Sequence, residues 1–248
     1  MVRAARAKSN SGIYHIMIRG INKQLIVEDD EDHQRFLEIL KECKVLSGYK
    51  VFAYCFMRNH IHLLLKTENE SLEQIFKRIG ARYVYYYNRK YKRSGYLFQD
   101  RFKSEPVDDD SYFLTVLRYI HKNPVKAGLS NSADKYQWSS YLEYLNSNSL
   151  VDIDFVLGSM NRDEFVRFHN QKEEDENVLD IGENKFRLAD SEAKIIIKEV
   201  SGIENTTDFL NLNLIDRNAY FKELRARGLS IRQIARVTGV SKGIVERS

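Results

Sequence analysis

Two histidines stand one residue apart in the segment Arg58-Asn59-His60-Ile61-His62. Side chains alternate across a β-strand, so a His-x-His pair puts two imidazoles side by side on one surface. Two neutral imidazoles make half of a metal site. Two ligands rarely hold a metal alone, so in isolation the pair more readily describes polar side chains on a solvated sheet face. What decides between these readings is the scaffold around it.

Residues 50–57 and 60–66 alternate as a hairpin, with His60, His62 and Leu64 sharing a face. An earlier alternating run, 13–19, reads as a strand stopped by Gly20. Asp29 or Asp30 caps a helix over 31–47, with Phe36, Leu37, Leu40 and Cys43 on one side and Gly48 at its end. Ser71 caps a helix over 72–91, and residues 96–107 read as extended. Asp109 or Asp110 caps a helix over 111–122, which Pro124 should stop because a residue preceding proline disfavours helix. The order β-α-β-β-α-β plus an extra helix predicts an α+β fold: a ferredoxin-like antiparallel sheet, helices on one face, the other open to a ligand.

The polar stretch 146–152 marks a boundary between a domain over 1–150 and a helical region over 151–248. Near the end, at about 229–248, Ser230 and Ser241 would cap two short helices around a Thr238-Gly239-Val240 turn, a helix-turn-helix pattern.

Hydrophobic residues at 43%, charged residues at 30% and only 2 prolines exclude a disordered or collagen-like chain. The 2 cysteines, Cys43 and Cys55, read as buried free thiols, and without a Cys-x-x-Cys there is no zinc finger. No signal peptide or 18-residue apolar run is seen, so the expectation is a soluble, cytoplasmic protein, nucleoid-associated when bound to DNA. The net charge of +4 is unevenly spread: residues 76–103 carry a balance of +8, residues 163–208 one of −7, and residues 217–248 one of +6. The first basic block, with Arg78, Arg82 and Arg89, is interleaved with Tyr83, Tyr85, Tyr86, Tyr87, Tyr91 and Tyr96. Cations for phosphates and rings for bases suit single-stranded nucleic acid, although some of these tyrosines must pack a core. Arg19, Asn22 and Lys103 read as phosphate or hairpin contacts or as plain surface polarity, and Arg232 and Lys242 as DNA contacts of the helix-turn-helix. Among the remaining histidines, His15 reads as structural or DNA-facing, His121 as lying on another helix face, and His33 and His169 as surface residues.

Three motifs now line up: Tyr14-His-Ile-Met-Ile-Arg19-Gly20, Met57-Arg-Asn-His60-Ile-His62, and Leu117-Arg-Tyr119-Ile-His-Lys-Asn123-Pro-Val-Lys-Ala-Gly128. In order and spacing the chain resembles the IS200-type tyrosine transposases over residues 12–145, and within them the REP-associated branch. The resemblance implies a single-strand DNA endonuclease and strand transferase acting near DNA hairpins. It implies Tyr119 as the nucleophile that forms a 5′-phosphotyrosine, His60 and His62 as metal ligands, and Asn123 as a third ligand or as the holder of a metal-bound water. Asn123 matches the polar position one helical turn after the family's tyrosine. A mixed nitrogen and oxygen set of this kind suits Mg²⁺ or Mn²⁺. The implied partner is single-stranded DNA with hairpin ends, bound by a monomer or homodimer away from any membrane. Two other readings stand beside this one. An RNA-recognition domain would carry aromatics where this chain has His-Ile-His. A domesticated, non-transposing regulator of repeat elements would keep every motif.

Overall fold

The computed structural model describes residues 6–146, 150–171, 178, 190–203, 209, 212–227, 229 and 231–246; within the later helices the side chains of 190–192, 195, 215, 226 and 232 also stay outside that description. The architecture is mixed α+β. Strands β1 (Ile13–Arg19), β2 (Lys50–Phe56), β3 (His60–Lys66) and β4 (Lys103–Pro106) form one antiparallel sheet in the order β2-β3-β1-β4. Helices α1 (Asp30–Ser47), α2 (Leu72–Lys90) and α3 (Asp110–Lys126) pack on it. Asp29 caps α1 through the Asp32 amide, Ser71 caps α2 in a reciprocal capping box with Gln74, and Asp109 caps α3.

Strand register separates the two faces. His15 pairs Leu64 and Glu105, Met17 pairs His62 and Lys103, Arg19 pairs His60, and Cys55 pairs His62. These residues therefore share one face. The alternate residues Ile16, Ile18, Ile61, Leu63 and Phe56 are buried on the other. There Phe36 of α1 packs on Phe56 and on Tyr83 of α2. Helix α3 lies against the histidine face, where its Phe113 meets Phe52. That face, expected to be open, thus carries α3.

The sequence reading ends α3 before Pro124, but the helix runs through it to Lys126. Proline forfeits one helical hydrogen bond there, and only the last turn lies beyond it. The close of the helix offsets the loss. Gly128 at φ +71° lets its own amide donate to Val125 and the Leu129 amide donate to Pro124, a Schellman motif. The residue that gains is Asn123, which stays helical one turn after Tyr119.

The first compact unit spans Met1–Asp180, about thirty residues past the boundary at 150. The short helices α4 (Asp154–Leu157) and α5 (Arg162–Asn170) belong to it, since Val156 and Phe165 are buried in the same core as the sheet. Asp152 also ties this segment to the sheet edge by accepting from Lys44 Nζ at 2.7 Å and from the Val51 amide at 2.8 Å. Composition alone gave no sign of this, because the polar run at 146–152 reads like a linker.

The second unit, Ile181–Ser248, holds helices α6 (Asp190–Ser201), α7 (Leu214–Ala226), α8 (Ile231–Thr238) and α9 (Lys242–Glu246). Its own core gathers Ala193, Ile197, Phe221, Leu224, Ile234, Val240 and Val245. Gly239, at φ +71°, makes the turn between α8 and α9. The expected cap Ser230 and the side chain of Arg232 lie outside the described residues. No described helix is long and apolar enough to cross a membrane.

Candidate active site

His60 and His62 point from β3 toward α3, and their rings stand edge to face at 5.0 Å. The Asn59 side-chain oxygen accepts from His60 Nδ1 at 2.7 Å. His60 Nε2 lies 3.4 Å from Asn123 Oδ1. In the neutral tautomer with its proton on Nδ1, His60 and Asn123 would turn two lone pairs to a common point, as two ligands of a cation would.

His62 is fully buried, and its Nε2 has no hydrogen-bond partner among the described residues. Desolvation, with the neighbouring His60 and His15 adding to it, holds its pKa well below the ordinary histidine value. It is therefore a neutral imidazole, the form that ligates metals. Among the described residues no group of three His, Cys, Asp or Glu side chains could hold a metal ion. A site here rests on two imidazoles and one amide.

Tyr119 packs its ring edge-on against His62 at 5.6 Å and His15 at 5.8 Å. It is 2% exposed, and Lys126 Nζ sits over its ring at 4.7 Å. Tyr119, Asn123 and Lys126 fall on one face of α3 because four and seven residues are close to whole helical turns. The two histidines and the two helical residues thus come together.

Among the expected DNA contacts, Arg19 and Lys103 lie on the histidine face by register, with Lys103 exposed. Burial lowers the Arg19 pKa, and its Nε has no hydrogen-bond partner among the described residues. Asn22 is exposed in the turn after β1, at φ 51°. Gly20 permits that turn by close approach: a Cβ there would sit 2.2 Å from the Gln24 carbonyl oxygen. Arg78 and Arg82 lie on the far side of the sheet. Arg78 forms a fork with Glu70 at 2.7 and 2.9 Å, and Arg82 reaches Glu42 at 2.5 Å. Arg89 is exposed on the same helix. Lys242 is exposed on α9, 3.9 Å from Glu246.

The tyrosine-rich block needs correcting as a stacking surface. Tyr83 donates to the Ile26 carbonyl, Tyr87 to the Leu25 carbonyl and Glu28, and Tyr86 and Tyr91 to Asp32. Lys90 binds Asp29, Glu31 and the buried Asp32. These groups fasten α2 to α1 and to the loop before it; Tyr85 and Tyr96 stay exposed. His33 and His169 are buried rather than on the surface. His33 stacks on Trp138 at 4.4 Å. His169 joins a chain in which Ser140 Oγ lies 2.7 Å from His121 Nε2, His121 Nδ1 lies 2.9 Å from His169 Nε2, and His169 Nδ1 donates to the Phe165 carbonyl at 2.9 Å.

Three neighbours of the site carried little signal in the sequence: His15, Glu105 and Lys126. Strand alternation already puts His15 on the face of His60 and His62, but pairing it with His62 needs the register. Lys126 was hidden by the helix end expected at Pro124.

Residues 8–123 match the family model of the IS200-like transposases. A REP-associated tyrosine transposase, solved bound to a REP hairpin, is similar in fold. It has a TM-score of 0.51 and 15% identity, with 62% of this chain and 90% of that chain covered. A transposase structure from Deinococcus radiodurans aligns at 16% identity over 49% of this chain and 97% of that one, with a TM-score of 0.35. No curated protein matches the chain.

Proposed function

We propose that this IS200-like transposase is a metal-dependent single-strand DNA endonuclease and strand transferase that cuts near hairpins through a 5′-phosphotyrosine. The observation that carries the reading is the convergence of His60, His62, Asn123 and Tyr119, with a buried His62 Nε2 left for a ligand. His60, His62 and Asn123 would hold Mg²⁺ or Mn²⁺. When bound, the ion would supply a Lewis acid that polarises the scissile phosphate. Tyr119 attacks phosphorus; a bond forms from its oxygen, the bond to the 3′ oxygen breaks, and the proton given up by the phenol is balanced by the one taken up at the leaving 3′-hydroxyl. Attack by another 3′-hydroxyl reverses the step and joins new strands without ATP. Arg19 and Lys103 flank the histidines on the sheet face and suit contacts to the strand being cut.

The finer assignments belong to the same proposal. The sheet order supports a ferredoxin-like domain, and the Asn123-Pro-Val-Lys-Ala-Gly128 run after Tyr119 supports the REP-associated branch. The Gly239 turn between α8 and α9 supports a C-terminal helix-turn-helix carrying Arg232 and Lys242. The partner would be single-stranded DNA with hairpin ends, the family's substrate class. A regulator of repeat elements that keeps every motif would bind the same DNA and form no covalent adduct.

The test is incubation with labelled single-stranded oligonucleotides from the DNA flanking the gene, with Mn²⁺ or EDTA. The reading expects a covalent adduct on a denaturing gel with Mn²⁺ and none with EDTA. An adduct that persists in EDTA removes the metal from the account.

A further inference from the structure

We propose that His15 and Glu105 are positioning residues, which fix the proton of His62 on Nδ1 and so present Nε2 as a ligand. This rests on the metal reading above and extends it to two residues outside the motif pair. His15 is fully buried, stacks on His62 with ring centroids 5.2 Å apart, and brings its Nε2 to 2.9 Å from His62 Nδ1. Its other nitrogen, Nδ1, lies 3.8 Å from Glu105 Oε2, and the two residues are direct partners across β1 and β4.

Proton counting selects one arrangement. Between two neutral imidazoles one nitrogen donates and the other accepts. If His62 Nδ1 donates, His62 Nε2 carries the lone pair and His15 carries its proton on Nδ1, facing a carboxylate. If His15 Nε2 donates, His62 must carry its proton on Nε2. That N–H is buried with no hydrogen-bond acceptor among the described residues, and the His15 Nδ1 lone pair is turned toward Glu105. The second arrangement strands a donor and opposes two negative ends, so the first prevails. The resulting chain of carboxylate, imidazole, imidazole extends by one ring the outer-shell pattern that orients metal-ligating histidines. It also explains why a histidine is buried on β1 without taking the place of a third ligand.

The test uses the full-length protein. Imidazole ¹⁵N NMR of the metal-free wild type should show His62 protonated on Nδ1. Titration with Mn²⁺ alone, read by electron paramagnetic resonance, should then show affinity lowered 10- to 100-fold in His15→Phe and lowered by less in Glu105→Gln. A wild-type spectrum with the His62 proton on Nε2 overturns the proposal without any variant. Unchanged Mn²⁺ affinity in a folded His15→Phe does the same. If wild type and His62→Ala bind Mn²⁺ alike, the metal reading fails instead, and the proton position on His62 still reports whether His15 sets it.

Discussion

Replacing Gly20 by alanine should show how tightly the turn after β1 is built against the hairpin that carries the histidines. Gly20 has φ −65° and ψ 143°, angles any residue adopts, so backbone conformation is not the obstacle. Space is. The new methyl would stand 2.2 Å from the Gln24 carbonyl oxygen and 2.9 Å from Ile26 Cγ2. The nearer atom is backbone, so the 20–26 turn must move as a body. That turn is bound to the hairpin loop: the Gly20 amide donates to Asn59 at 3.0 Å, and the Ile26 and Val27 amides donate to Arg58 at 2.8 and 3.0 Å. Losing two such bonds costs about 2 kcal/mol, and overpacking strain adds about 1–2 kcal/mol. The expected loss of about 3–4 kcal/mol corresponds to a drop in Tm of roughly 6–16 °C for a unit of this size. Gly95→Ala is the contrast. It sits at φ +89° with nothing within 4 Å of the added methyl, so it pays only the left-handed strain of about 1–2 kcal/mol. Urea unfolding of both variants decides. A Gly20→Ala loss below that of Gly95→Ala would refute the close-approach argument.

Further outcomes follow from other parts of the molecule. His62→Ala should abolish cleavage while leaving hairpin DNA binding nearly intact in a gel-shift assay; full cleavage by this variant would remove His62 from the site. Lys90→Ala should destabilise by about 2 kcal/mol, because the buried Asp32 loses its cation at a partly screened position, yet leave cleavage unchanged at permissive temperature; a selective loss of DNA binding would return Lys90 to the nucleic-acid surface. His62 and His121 are both held neutral by burial, with pKa values well below the ordinary one. The unfolded chain therefore takes up protons that the native one refuses as pH falls below about 6.5. Stability should be flat between about pH 7 and 8 and fall toward pH 5 by up to about 1.4 kcal/mol per pH unit for each histidine; urea melts that do not change between about pH 7 and 5 contradict it. A 1–180 fragment should retain some cleavage with weaker DNA binding and a shallower salt dependence; equal affinity would give the C-terminal unit another partner.

Periodicity was enough for the elements that set up the site. Alternation gave β1 and the hairpin within a residue, and Asp29, Ser71 and Asp109 cap the three long helices as their types require. His60, His62, Tyr119 and Asn123 could be named from spacing and the family pattern, because strand and helix periods fix which side chains share a face. What stayed hidden depended on tertiary structure. The helix passes Pro124 only because Gly128 closes it in a Schellman motif. The tyrosines of α2 read as stacking rings because their partners, the carbonyls of Leu25 and Ile26 and the carboxylate of Asp32, are 50 or more residues away in sequence. His15 comes beside His62 and opposite Glu105 only through the register, in which it pairs Leu64 and Glu105.

The central claim is that Tyr119 is the nucleophile, and the covalent adduct tests it most directly. Tyr119→Phe removes one oxygen and keeps the ring that packs on His15 and His62, so the variant should fold and bind DNA. With Mn²⁺ and a cleavable oligonucleotide the wild type should yield a protein–DNA adduct whose peptide map places the DNA on Tyr119. Tyr119→Phe should yield none, while phenylalanine at Tyr83, Tyr86 or Tyr91 should leave it. DNA mapped to a tyrosine in 83–96, or an adduct still formed by Tyr119→Phe, would contradict the account.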